Sequence, residues 1–136
     1  MRKTIKLKYT TGFRTGNKAL DMQIRILVGL FQDLMDAYGE ERPPTEVADM
    51  ERTALDYLKR YVSQQETEME QRGYPAIGNH RLHHRKFALQ LKQITANDDI
   101  AQRLIDYAAF VDEFIEFHVM VLDKDFSRFY RAVDDR

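Results

Sequence analysis

Four long amphipathic stretches, separated by short breaks, constrain the fold of this chain more than any other feature of its 136 residues. Within each stretch apolar residues recur three or four positions apart, which is the spacing of one face of an α-helix. Four such helices with short connections pack most simply as an up-down-up-down antiparallel four-helix bundle, so we expect an all-α fold. The four stripes are Leu20, Ile24, Leu27, Phe31, Leu34 and Tyr38; Val47, Met50, Ala54, Leu58, Tyr61, Gln65 and Met69; His80, His84, Phe87, Leu91 and Ile94; and Ile100, Leu104, Ala108, Val111, Ile115, His118 and Leu122.

Glycine, proline and capping residues mark the ends of these helices. We expect a first helix over 19–38 and a second that begins after Thr45, whose hydroxyl can accept a hydrogen bond from the first turn. The glycine and proline at 73–75 end the second helix, and the third covers about 78–95. A turn at 96–99 with capping side chains precedes the fourth.

We expect one domain over 1–136, because the sequence contains no linker and no internal repeat. Residues 1–18 favour turns and are expected to form an irregular N-terminal arm ahead of the bundle at 19–123. The tail at 124–136 contains a short amphipathic helix, about 126–133, whose apolar face is expected to pack back on the bundle.

Composition narrows the class of protein. The 21 Lys and Arg nearly balance the 22 Asp and Glu, which argues against a nucleic-acid partner, and the absence of cysteine excludes disulfides and thiolate metal sites. No apolar run approaches the ~18 residues of a membrane span, and the basic N-terminus lacks the apolar core of a secretory signal. We therefore expect a cytoplasmic protein without a membrane partner, monomeric or weakly homo-oligomeric.

Three of the four histidines lie on inward stripes. His80 and His84 are one helical turn apart on the same face, within reach of one shared ion. His118 lies on the inward stripe of the next helix, and Asp123 follows it by five residues. On a regular helix Asp123 points ~140° away from His118, so it reaches the same ion only through a distorted turn or a long reach.

Two interpretations of these histidines stay open. Three buried imidazoles without partners cost about 1 to 3 kcal/mol each, so either a metal ion or a polar network must satisfy them. His83 lies ~100° from His84 around the helix. We expect it to face solvent and not to ligate.

Three motifs occur in the order Tyr-Pro, at 74–75, His-x-x-x-His-x-x-Phe, at 80–87, and His-x-x-x-x-Asp, at 118–123. Together with Asp-x-Gln at 21–23, they resemble the bacterial hemerythrin family over residues 9–130. The resemblance implies a four-helix bundle around two oxo-bridged non-heme irons, which are held by five histidines and two bridging carboxylates and bind dioxygen reversibly.

In this resemblance His80, His84 and His118 match the histidines of one iron, and Asp123 matches one bridge. The second iron's two histidines are replaced by Ile24 and Tyr61, and the bridging glutamate is replaced by Gln65. Glu66 is next to Gln65 but points ~100° away from it. Isoleucine cannot ligate and a neutral amide is a poor bridge, so we expect that the chain does not bind dioxygen as a diiron carrier.

The leading hypothesis is a mononuclear metal site made by His80, His84, His118 and Asp123. A single iron ion is expected there, and zinc or manganese also suits these ligands. Tyr61 or Gln65 would act as a hydrogen-bond partner or a weak fifth ligand, and dioxygen or another small molecule would be the exogenous partner.

Two alternatives remain. In the first, the bundle binds no cofactor and has a structural or sensory role, with Tyr61 and Gln65 hydrogen-bonded to the imidazoles. In the second, the chain is an enzyme of superoxide or peroxide chemistry, because three imidazoles and an aspartate resemble the ligands of iron and manganese superoxide dismutases.

Overall fold

A computed structural model describes residues 2, 5–9 and 15–134 of the chain. Within these residues the regular secondary structure is entirely helical, and no strand occurs. A π-helix joins α4 to α5 without a break. The elements are α1 (Lys18–Gly39), α2 (Pro44–Gln71), α3 (Ile77–Thr95), α4 (Ile100–Glu113), the π-helix (Phe114–Asp123) and α5 (Lys124–Asp134).

The four helices that the stripes predict are therefore present. Helix α1 packs against α2 and α4, α3 packs against both α2 and α4, and α5 folds against the π-helix. The up-down-up-down antiparallel order stays a prediction. None of the described helices is both long enough and apolar enough to span a bilayer.

Most of the stripe residues of α1, α2 and α4 are buried in the core, whereas the apolar stripe residues of α3 are only half-buried. In α1 the stripe is buried from Leu20 to Leu34, and Phe31 meets Tyr107 edge to face with ring centroids 5.7 Å apart. In α3 the only buried residues are His80 and His84. The fully buried side chains that α3 contributes to the core are therefore polar, whereas those of the other helices are mostly apolar.

The predicted cap at the start of α2 is wrong. Helix α2 begins at Pro44, and its N-cap, Pro43, has no side chain that accepts a hydrogen bond. Proline suits the first helical position because its fixed φ is helical and the N–H that it lacks would have no partner there. Thr45 therefore lies inside the first turn and not ahead of it.

Helix α2 ends in a Schellman motif around Gly73, whose φ is 66°. The Tyr74 N–H donates to the Met69 carbonyl at 2.9 Å, and this turn directs the chain into α3. The Tyr74 ring lies 5.0 Å from that of Phe126 and 5.2 Å from that of Phe129. The tail helix thus packs back on the molecule as predicted.

Only part of the N-terminal arm is among the described residues. Residues 2, 5–9 and 15–17 form neither helix nor strand, as expected of an irregular arm. Gln32 of α1 holds this segment, because its amide accepts from Leu7 N at 2.9 Å and donates to the Ile5 carbonyl at 2.8 Å. The expectation for residues 1, 3, 4 and 10–14 lies outside the described residues.

Candidate metal centre

Four buried side chains from two elements meet in the core. Helix α3 supplies His80 and His84, and the π-helix supplies His118 and Asp123. Each offers a nitrogen or oxygen ligand atom, and these atoms all lie within 4.8 Å of one another. The structure therefore brings together the four residues that the sequence identified.

The π-helix explains how Asp123 joins His118. A π-helix closes its hydrogen bonds five residues apart, so its side chains at i and i+5 stand close to the same face. Asp123 is fully buried, whereas Leu122, which the regular stripe places inward, is only half-buried. This is the distorted turn that the carboxylate needs, and it corrects the placement of Leu122.

The ligand atoms converge at short distances. His84 Nε2 lies 3.0 Å from His118 Nε2, and Asp123 Oδ1 lies 2.8 Å from His80 Nε2 and 3.0 Å from His118 Nε2. Among the described residues, Oδ1 nevertheless has no hydrogen bond of proper geometry. The three nitrogens and the oxygen thus surround one small space in the core.

The three positions at which the resemblance predicts a replaced ligand divide into two kinds. Ile24 is fully buried in the apolar core, where it fills space and offers no ligand atom. Tyr61 donates to Asp123 Oδ2 at 2.6 Å, and Gln65 Oε1 lies 3.0 Å from His80 Nε2. The expectation that Tyr61 bonds to an imidazole is wrong, since its partner is the carboxylate.

Burial and neighbouring charges set the protonation of the site. Burial raises the pKa of Asp123, but the imidazoles of His118 and His80 outweigh this, so its pKa lies below the ordinary value and the carboxylate stays ionised. Burial, followed by the nearby His118 and His80, lowers the pKa of His84 to about 3. Burial, followed by the charge of Asp123, raises the pKa of Tyr61 well above its ordinary value. A neutral imidazole, as at His84, and an anionic carboxylate, as at Asp123, are the forms that bind metal ions, and Tyr61 remains a donor.

Glu66, which the sequence predicts to point away from Gln65, is a neighbour of the site. Its Oε2 lies 3.3 Å from His84 Nδ1, near enough to pair with it although without the geometry of a hydrogen bond, and its Oε1 lies 3.3 Å from Arg81 Nε. The stripe of α2 gives no signal for this contact, because it depends on how α2 and α3 pack. A carboxylate beside the outer nitrogen of a histidine orients the ring and raises its basicity as a ligand.

His83 is half-buried, so it is less exposed to solvent than the sequence predicts. Its ring centroid lies 6.3 Å from that of His118, but it is outside the group of four that can share an ion. That it does not ligate stays a prediction.

Two cavities flank the site. A polar cavity of about 170 Å³ reaches Asp123, Tyr61 and Gln65, and a more apolar one of about 330 Å³ reaches His84 between α2 and α3. Three imidazole nitrogens and one carboxylate oxygen suit Fe(II), Mn(II) or Zn(II). The residues present therefore fit a bound divalent ion.

Comparisons of this chain with models of protein families, with curated proteins and with solved structures found no match. Membership of the hemerythrin family therefore stays a prediction from the sequence motifs.

Proposed function

We propose that this chain is a hemerythrin-like protein with a mononuclear metal centre held by His80, His84, His118 and Asp123. One observation carries the proposal. The ligand atoms of these four buried side chains all lie within 4.8 Å of one another, with Asp123 Oδ1 2.8 Å from His80 Nε2 and 3.0 Å from His118 Nε2. Burying a carboxylate and three imidazoles is costly unless their polar atoms are satisfied, and one shared cation would satisfy all four ligand atoms together.

The surroundings of the ligands support a single ion. Tyr61 occupies Asp123 Oδ2, which leaves Oδ1 as the ligand oxygen. With Ile24 and Tyr61 in the places of two family histidines, a second ion lacks nitrogen ligands. Iron is the leading candidate, and zinc or manganese fits the same set. Bound metal would supply Lewis acidity and, for iron or manganese, one-electron redox chemistry.

The test is the metal content of protein purified without added metal. We expect one ion per chain in the wild type and in His83→Ala, and loss of the ion in His84→Ala. His83→Ala is the matched control because it removes an adjacent imidazole outside the group of four. Equal metal content in the wild type and in His84→Ala would contradict the proposal. Near-ultraviolet absorption typical of a bridged diiron(III) pair would also contradict it, because it would show two ions instead of one.

A second candidate is a metal-free core, favoured by the hydrogen bonds that the cluster already makes. Gln65 links His80 to Tyr61, with Gln65 Nε2 3.4 Å from the phenol oxygen, and Tyr61 in turn binds Asp123. A chelator distinguishes the two candidates. Removal of a bound ion lowers Tm by linkage, whereas a metal-free network leaves Tm unchanged.

A further inference from the structure

Helix α3 carries a basic outer face. The helix contains no acidic residue, although the whole chain has a net charge of −1. Leu82 and Leu89 are 60% and 64% exposed, and the exposed Arg85 and Lys86 lie between them at spacings of three and four residues. Because residues at this spacing share one side of a helix, these four form one surface, which we call the basic face.

An acidic face lies beside it on α4 and the π-helix. Asp106 and Glu113 line the same groove as Gln90 of α3, a cavity of about 340 Å³, and Phe117 and Val121 continue along the π-helix at 62% and 52% exposed. We call Asp106, Glu113, Phe117 and Val121 the acidic face. Basic and acidic faces together hold four of the largest exposed apolar side chains in the described structure.

Three of the four charged side chains of these faces are unpaired in the described structure, and the fourth, Asp106, accepts a hydrogen bond from the neutral Gln102. Among the described residues, Arg85, Lys86 and Glu113 make no ion pair, whereas Arg81 on the other side of α3 is engaged by Glu66 and Glu70. Unpaired charges beside exposed leucine and phenylalanine are the composition of a recognition surface more than of a solvated helix face.

The two faces match each other in register. The His84 ring lies 4.7 Å from that of His118, and the Phe87 ring lies 5.3 Å from that of Phe114. A residue later in α3 therefore contacts a residue earlier in the π-helix, so the two helices run in opposite directions here. Leu82 is therefore near the level of Val121, and Lys86 is near the level of Glu113. A two-fold axis parallel to the helices, placed between the two faces, leaves the height of each residue along the helices unchanged. It therefore brings the basic face of one copy opposite the acidic face of the other at the same height.

We infer that this chain associates with a second copy of itself through these faces, each basic face covering the acidic face of the other copy. The rotation sets Leu82 against the partner's Val121 and Lys86 against the partner's Glu113, and it repeats each pair twice, as an isologous interface requires. Apolar contacts exclude water at the centre, and the opposite charges fix the register. The inference does not depend on a bound metal.

The test is a charge exchange, measured by sedimentation velocity over a range of protein concentrations. Lys86→Glu or Glu113→Lys alone places like charges in contact, and we expect each to weaken dimerisation about tenfold or more. An equimolar mixture of the two single variants restores opposite charges at both contacts of the mixed dimer, and it is expected to dimerise as the wild type does. The double variant Lys86→Glu/Glu113→Lys restores both contacts within its own dimer and should do the same. Lys59→Glu, which changes an exposed lysine of α2, is the control and is expected to have no effect.

Circular dichroism establishes that each variant is folded. A wild type that is monomeric at every concentration overturns the inference, as do dimers that all of the single variants leave intact. If the wild type is monomeric and binds phosphatidylserine vesicles, the basic face recognises an anionic membrane surface. That result would also overturn the inference of a dimer.

Discussion

The phenol of Tyr61 donates a hydrogen bond of 2.6 Å to Asp123 Oδ2, and both side chains are buried. The contact joins α2 to the π-helix and commits one carboxylate oxygen to a neutral donor. The other oxygen, Oδ1, is left to the imidazoles of His80 and His118. The orientation of Asp123 toward the candidate metal centre therefore depends on Tyr61.

Tyr61→Phe tests the energy of this contact. The variant keeps the ring, which packs edge to face on Phe114, and removes only the donor to a buried charge. We expect the free energy of unfolding in urea to fall by about 1.5 to 3 kcal/mol, because hydrogen bonds to charged groups are the stronger ones. Tyr57→Phe is the matched control, since its hydroxyl donates to the Gln23 carbonyl at an exposed position. Equal losses in the two variants would contradict the role given to Tyr61.

Glu66→Ala tests whether Glu66 positions His84. We expect the affinity for Zn(II), measured by competition with a chromophoric chelator, to fall about 10- to 100-fold, as is usual when the partner of a ligating histidine is lost. Glu70→Ala is the control because Glu70 also pairs with Arg81 but does not contact His84. If both variants bind Zn(II) with the same affinity, the contact between Glu66 and His84 has no part in metal binding.

The pair Glu51 and Arg103 predicts a pH dependence of stability. Burial raises the pKa of Glu51, but hydrogen bonds from Arg103 and Tyr107 outweigh it, so its folded pKa lies below the ordinary value of 4.5. A group with a depressed folded pKa stabilises the protein above its unfolded pKa, and this contribution is lost as the pH falls through the folded value. Urea unfolding at a series of pH values is expected to show this decline below pH 4.5 in the wild type and a smaller decline in Glu51→Gln.

At neutral pH, Glu51→Gln should also cost about 1 to 3 kcal/mol, because Arg103 loses a partly buried partner. Glu46→Gln removes a carboxylate that pairs with Arg42 at the surface, and it should cost less than about 1 kcal/mol. A Glu51 variant that matches Glu46→Gln at every pH would show that the network with Arg103 and Tyr107 adds nothing to stability.

Gly73→Ala tests the turn that directs α2 into α3. A Cβ at Gly73 meets no atom within 4 Å, so its cost is the left-handed backbone alone, about 1 to 2 kcal/mol. Gly78→Ala in α3 also meets no atom, but its backbone is helical, and it should stabilise by up to about 1 kcal/mol. Opposite signs of the change in Tm are expected, and a shared sign would contradict the role of the turn.

The sequence by itself determined the helices and the identity of the candidate ligands. Apolar spacing predicts four helices because a helical side chain's direction repeats every 3.6 residues, whatever the helix packs against. The same periodicity puts His80, His84 and His118 on inward faces, where all three are buried. The resemblance to the hemerythrin family also predicts that Ile24, Tyr61 and Gln65 replace family ligands, which stays a prediction.

Only the tertiary structure decided how these residues meet. The periodicity assumes a regular turn, so it puts Leu122 inward, whereas the π-helix buries Asp123 in the core. The contacts of Tyr61 with Asp123 and of Glu66 with His84 join residues far apart in sequence. Such contacts depend on the distance and rotation between packed helices, and these are set by the whole core because close packing leaves no single helix free to choose its own position.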